Sequence, residues 1–148
     1  MSYSYARHID VTMISFGDDK YSRKYFDSIR TTLINNGIPD SRIEEINVDD
    51  AADVILYLKS SCIESYKAVF IVAGVCKKVL TTNLDYFSDS VYQPLINSIM
   101  HFQMKDNVQV PIKIAIKEPK RKLSDYEEEG KKIALSAIKM YEHFYRVY

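Results

Sequence analysis

Two rhythms of apolar and polar positions alternate along the chain: short apolar runs, and stripes that recur every three to four residues. Val11–Phe16 (VTMISF) places four apolar residues among six and stops at Gly17, which predicts a buried strand. Asp18 or Asp19 then stands where a carboxylate can accept the free N–H groups of a first helical turn. Tyr21, Tyr25, Phe26, Ile29 and Leu33 follow at helical spacing, and Asn36-Gly37 with Pro39 closes the helix. Ile43–Val48 alternates as a half-exposed strand does. Asp49 and Asp50 offer further caps before a second helix over Ala51–Ser61, with Val54, Ile55, Leu58 and Cys62 inward. Ala68–Ala73 (AVFIVA) is an unbroken apolar run ended by Gly74, the pattern of a central strand covered on both faces.

The second half is less regular. Val91–Met104 carries Val91, Leu95, Ile96, Ile99 and Phe102 on one helical face, with Pro94 suited to its first turn. The preceding KKVLTTNLDYFSD fits an edge strand or a loop. Val108–Ile116 (VQVPIKIAI) alternates, with Pro111 confining its first half to an edge or to the start of the strand. Ser124 with Glu127 predicts a capping box, and Glu127, Glu128 and Glu129 favour the positive end of a helix dipole. Ile133, Ala137, Ile138, Tyr141, Phe144, Tyr145 and Tyr148 then form an apolar and aromatic stripe. Strands alternating with helices imply parallel β-α-β units with right-handed crossovers. The expected fold is three-layer α/β: a mainly parallel sheet of four to five strands, inner order 2-1-3, with helices on both faces.

Length fits one domain of 148 residues, with residues 1–9 as an N-terminal extension and residues 124–148 as the C-terminal helix. Formal net charge is zero, so no global field draws the chain to nucleic acid or to an acidic membrane. Locally the balance runs from −3 over residues 1–60, through 0 over 61–110, to +3 over 111–148, which makes the last third the better candidate for a binding face. Two cysteines, Cys62 and Cys76, give no disulfide framework, and no apolar run approaches a membrane span. A soluble protein of the nucleus or cytoplasm is expected.

Candidate chemistry is sparse. A phosphate cradle after the first strand needs glycines and a helix start free of negative charge; FGDD offers one glycine and two aspartates. Paired aspartates with magnesium, as in receiver domains, need a further carboxylate at the end of the third strand. That strand ends Ile71-Val72-Ala73-Gly74, and Lys117-Glu118-Pro119 is only a loose echo of the receiver lysine. His8, His101 and His143 form no metal-ligand or nucleophile pattern. Cys76, just past a strand end, is better read as a small packed residue. Lys117, Lys120, Arg121 and Lys122 are candidate phosphate contacts for RNA, although in a chain of zero net charge they are better read as a solvated connector. Tyr141, Phe144, Tyr145 and Tyr148 are the candidate protein interface. No catalytic residue, cofactor or metal is expected.

The order of elements, with FGDDKYSRKYFDSIRTTLINNGI and YKAVFIVAG as anchors, resembles the anticodon-binding domain of class II aminoacyl-tRNA synthetases, including its non-synthetase offshoot in nuclear receptor coactivator 5. Leu33-Ile34-Asn35-Asn36-Gly37-Ile38 is similar to that family's Leu-x-x-x-Gly-Ile helix ending, and Val69–Gly74 to its third strand. SDYEEEGKKIALSAIKM is similar to the charged closing helix of the coactivator type. The Toll/interleukin receptor group and its interleukin-17 relatives supply a second resemblance, through DVTMISFGDD and VQVPIKIAI. Its enzymatic members need a glutamate after the third strand, and none occurs from Ser65 to Lys117, so NAD cleavage is not implied. These resemblances imply a non-catalytic recognition or adaptor module that binds protein in an RNA-related or nuclear complex, with RNA second and a homodimer through the C-terminal helix as a further option. The alternatives are a Toll/interleukin receptor-like scaffold and a flavodoxin-like small-molecule enzyme with a pocket lined by Asp18, Asp19 and Gly74.

Overall fold

The computed structural model describes residues 9–50, 53–64, 68–75, 84–104, 111–117 and 122–145. Within them β1 (Asp10–Phe16), α1 (Lys20–Asn35), β2 (Ile43–Val48), α2 (Val54–Glu64), β3 (Ala68–Val75), α3 (Leu84–Gln103), β4 (Ile112–Lys117) and α4 (Leu123–Phe144) follow in turn. The described strands form one parallel sheet in the order β2-β1-β3-β4. The chain steps from β1 to β2, then jumps back across β1 to β3. With right-handed crossovers, that reversal sends α1 and α2 to opposite faces.

Alternate residues of each strand feed two separate cores. Val11 and Met13 of β1, Val69, Ile71 and Ala73 of β3, and Ala115 of β4 meet α1 and α4. Ile14 and Phe16, Phe70 and Val72, and Ile112 meet α2 and α3. This two-sided burial explains why β1 and β3 read as apolar runs, whereas β2, at an edge, exposes Glu44 between buried Ile43 and Val48. Arg30 crosses from α1 to the same edge and pairs with Asp40 at 2.7 Å and Glu45 at 3.7 Å.

Several expectations need correction. Gly74 does not end β3; it pairs with Phe16 and Ile116, and a Cβ there would collide with the Phe16 ring, so the glycine makes room for a neighbour. Helix α3 begins at Leu84, so the second half of KKVLTTNLDYFSD is helical and Pro94 lies inside the helix, on its exposed side. Burial of Leu95 and Ile99 on the sheet holds that helix despite the proline. Residues 77–83 lie outside the described residues, as do the side chains of Cys62 and Val91. Helix α4 starts one residue before Ser124: Lys122 is the N-cap, and its N–H donates to Asp125 Oδ2 at 3.4 Å. Glu127 is engaged by α1 instead, its carbonyl accepting from Ser28 Oγ at 2.6 Å and its carboxylate pairing with Lys24 at 3.5 Å. Tyr21 is 38% exposed and tilts against Tyr126 at the rim of the α1–α4 contact rather than joining the core.

Candidate functional site

In open parallel sheets ligands sit at the carboxyl ends of the strands where the strand order reverses, which here is the gap between β1 and β3. The turn leaving β1 is tied down by its own polar groups. Asp19 caps α1, its Oδ1 accepting from the Ser22 N–H at 2.8 Å and its Oδ2 from Ser22 Oγ at 3.2 Å. The Asn47 amide reaches over from β2 and donates to Ser15 Oγ at 3.0 Å and to the Gly17 carbonyl at 3.1 Å. Asp18 is exposed, and the space above Gly74 is taken by the Phe16 ring. Asp19 is thus committed to the helix cap, and the Phe16 ring stands against Gly74. Among the described residues no group of three or more His, Cys, Asp or Glu side chains is placed to hold a metal ion.

Of the four basic candidates, Lys117 is half-buried at the end of β4 and Lys122 is exposed at the start of α4. Lys120 and Arg121 lie outside the described residues, as do His8 and Cys76. His101 and His143 are both exposed, on different helices.

The aromatic candidates come together, apart from Tyr148, which also lies outside the described residues. Tyr141 is buried and rests at 4.7 Å, centroid to centroid, on Tyr145, whose ring meets Phe144 edge-on at 4.9 Å. Phe144 is 46% exposed. Burial pushes the Tyr141 phenol up; nearby Asp10 adds to this and Arg42 opposes it. Asp10 opens β1, and Arg42 pairs with it at 2.9 Å, so the aromatic group stands at the amino end of the sheet, away from the β1 turn.

A groove of about 340 Å³ between α2 and α3 went unmarked by the sequence pattern. It is lined by Ile55, Lys59, Asn97, Ser98, His101 and Phe102. Asn97 and His101, four residues apart on one helical face, were the available signal, but polar residues on a helix surface ordinarily mean only solvent contact. The same two helices expose Leu56, Tyr57 and Met100, and Met104 is exposed just past the end of α3. Among the described residues no helix is long and apolar enough to cross a membrane. Neither a scan against protein-family models nor a search of the curated proteins finds a match for the chain.

Proposed function

We propose that the chain is a non-catalytic recognition module whose first partner is a protein, in an RNA-related or nuclear complex, with RNA second. The observation that carries this is the aromatic end of α4, where Phe144 faces solvent on a base of Tyr145 and buried Tyr141. A large aromatic surface held rigid from beneath loses little conformational entropy on docking, and such side chains dominate protein interfaces. Zero net charge ranks protein ahead of RNA. The family resemblance of Leu33–Ile38 and Val69–Gly74 motivates the RNA-related setting, and Lys117 and Lys122 are the described groups that would meet phosphate.

Affinity purification of the intact protein, with and without nuclease, tests this when run beside Phe144→Ser. Protein partners should survive nuclease and raised salt and be depleted by the substitution. Partners that vanish with nuclease, or that ignore Phe144→Ser, would refute it. Sedimentation of both forms reports whether a second copy of the chain is the partner.

A further inference from the structure

Strand β4 ends the described sheet, and its register fixes which backbone groups are left over. In a parallel ladder, alternate residues bond to alternate sides. The Phe70 N–H donates to the Pro111 carbonyl at 3.0 Å and Phe70 stands opposite Ile112, so the backbone groups of Lys113, Ala115 and Lys117 turn toward β3. Those of Ile112, Ile114 and Ile116 turn outward. The outward N–H of Ile112 is met by Gln103 Oε1 at 2.8 Å. The outward groups of Ile114 and Ile116 have no partner among the described residues.

The side chains of this edge divide by face. Lys113 and Lys117 flank Ala115 on the face covered by α1 and α4, both half-buried. Burial lowers the Lys113 ammonium below the usual lysine range, and Lys117 beside it lowers it further. None of the ion pairs among the described residues includes either lysine. Ile114 and Ile116 are half-exposed on the other face, at the margin of the core under α2 and α3. The strand is held from within, because buried Tyr25 donates its hydroxyl to the Ala115 carbonyl at 2.9 Å. Edge lysines repel strands of like charge. The same pair, half desolvated and without a carboxylate partner among the described residues, favours an acidic strand.

We propose that the β4 edge receives an extended acidic segment of a partner protein as a fifth strand, its carboxylates beside Lys113 and Lys117 and its apolar side chains beside Ile114 and Ile116. Main-chain bonds to Ile114 and Ile116 supply affinity, and the period of two supplies selectivity. The proposal rests on the protein-binding role above but uses no residue of the α4 aromatic end.

The test follows amide exchange in isotope-labelled intact protein during titration with a synthetic peptide of alternating glutamate and valine. A peptide with lysine in place of glutamate and an oligouridylate serve as comparisons. The acidic peptide should slow the Ile114 and Ile116 amides, which exchange fast in the free protein, and leave Lys113 and Ala115 unchanged. Joint Lys113→Glu and Lys117→Glu should weaken it by roughly 10- to 30-fold, the product of lost attractions and new repulsions of a few-fold each, and transfer preference to the lysine peptide. Ile114→Pro removes an outward N–H without touching the β3 ladder and should abolish binding. If that variant does not fold, the double reversal and the amide pattern decide. Slow Ile114 and Ile116 exchange in the free protein, no slowing at saturating peptide, or the same response to oligouridylate would each overturn the proposal. Failure here leaves Phe144-dependent capture standing, and failure of that capture leaves the amide readout standing.

Discussion

Gly130→Ala is the substitution for which helix propensity and packing make opposite predictions. On a solvent-facing helix the change stabilises by about 1 kcal/mol. Gly130, however, lies where α4 crosses α1, and a Cβ there would stand 2.6 Å from both Cβ and Oγ of Ser28 and 3.0 Å from the Tyr25 carbonyl. Neither neighbour yields easily. Ser28 Oγ is held to the Glu127 carbonyl at 2.6 Å, and turning it away strands a mostly buried hydroxyl at about 1–3 kcal/mol. Tyr25 is anchored on β4 through its hydroxyl at 2.9 Å. Moving the helices apart instead would loosen Ile133, Ala134 and Ala137 from the core. Overpacking of this kind costs roughly 1–3 kcal/mol, so after the propensity gain of about 1 kcal/mol a net loss of about 1 kcal/mol is expected. For a domain of this size that lowers Tm by about 2–4 °C. Urea and thermal unfolding followed by circular dichroism measure it. Ser28→Gly removes the two nearest atoms and leaves the Tyr25 carbonyl at 3.0 Å, so Gly130→Ala should cost less in that background than in the wild type. A Gly130→Ala protein more stable than the wild type, or strictly additive effects in the cycle, would refute close packing at this crossing.

Asp19→Ala should cost about 1 kcal/mol in the same unfolding assay through the lost cap, whereas Asp18→Ala should stay within about 0.5 kcal/mol. The Tyr25 phenol is raised far above its ordinary value by burial, with Glu129 adding to the effect, so the folded state holds its proton more firmly than the unfolded chain does. The associated stability is intact below a pH of about 10, where the unfolded phenol titrates, and is lost as pH rises above it. Ultraviolet titration should show that ionisation arriving only with unfolding, and Tyr25→Phe should remove that part of the alkaline sensitivity. Truncation after Lys132 removes Ile133, Ala134, Ala137, Ile138 and Tyr141 from the core, a loss on the order of 5–10 kcal/mol that matches the stability of a whole domain, so far-ultraviolet circular dichroism should report an unfolded chain.

Where one local signal and burial agreed, the chain was legible. The strand–cap–helix unit from Val11 to Gly37 and the inner order β2-β1-β3 are of that kind. Errors arose where a residue type carries one meaning locally and another in three dimensions. Gly74 reads as a terminator but accommodates the Phe16 ring. Pro94 reads as a helix start but is carried inside α3 by burial of the residues after it. Ser124 and Glu127 have capping-box spacing, but α1 claims the Glu127 carbonyl and Asp125 performs the backbone bond. At the candidate sites, the α4 aromatics could be read because they share one helical stripe. The α2–α3 groove and the outward amides of β4 could not, since they depend on which helices are neighbours and on the phase of a ladder.

The same physics accounts for the residues behind the strongest family resemblance. Leu33–Ile38 forms a paired helix ending, with the Gly37 N–H donating to the Ile34 carbonyl at 3.0 Å and the Ile38 N–H to the Leu33 carbonyl at 3.2 Å, while Leu33 and Ile38 are buried together. Val69–Gly74 lies in β3, between β1 and β4, feeding both cores. Each piece meets a need that any reversing parallel sheet has at that point: an end for the first helix, and an apolar strand at the switch. Such a likeness concerns joints of the architecture, and it carries recognition chemistry only as far as other surfaces supply it. Among the described residues, Phe144 at the amino end of the sheet is half exposed and the outward groups of Ile114 and Ile116 are left over, which is why the capture and exchange experiments are aimed there.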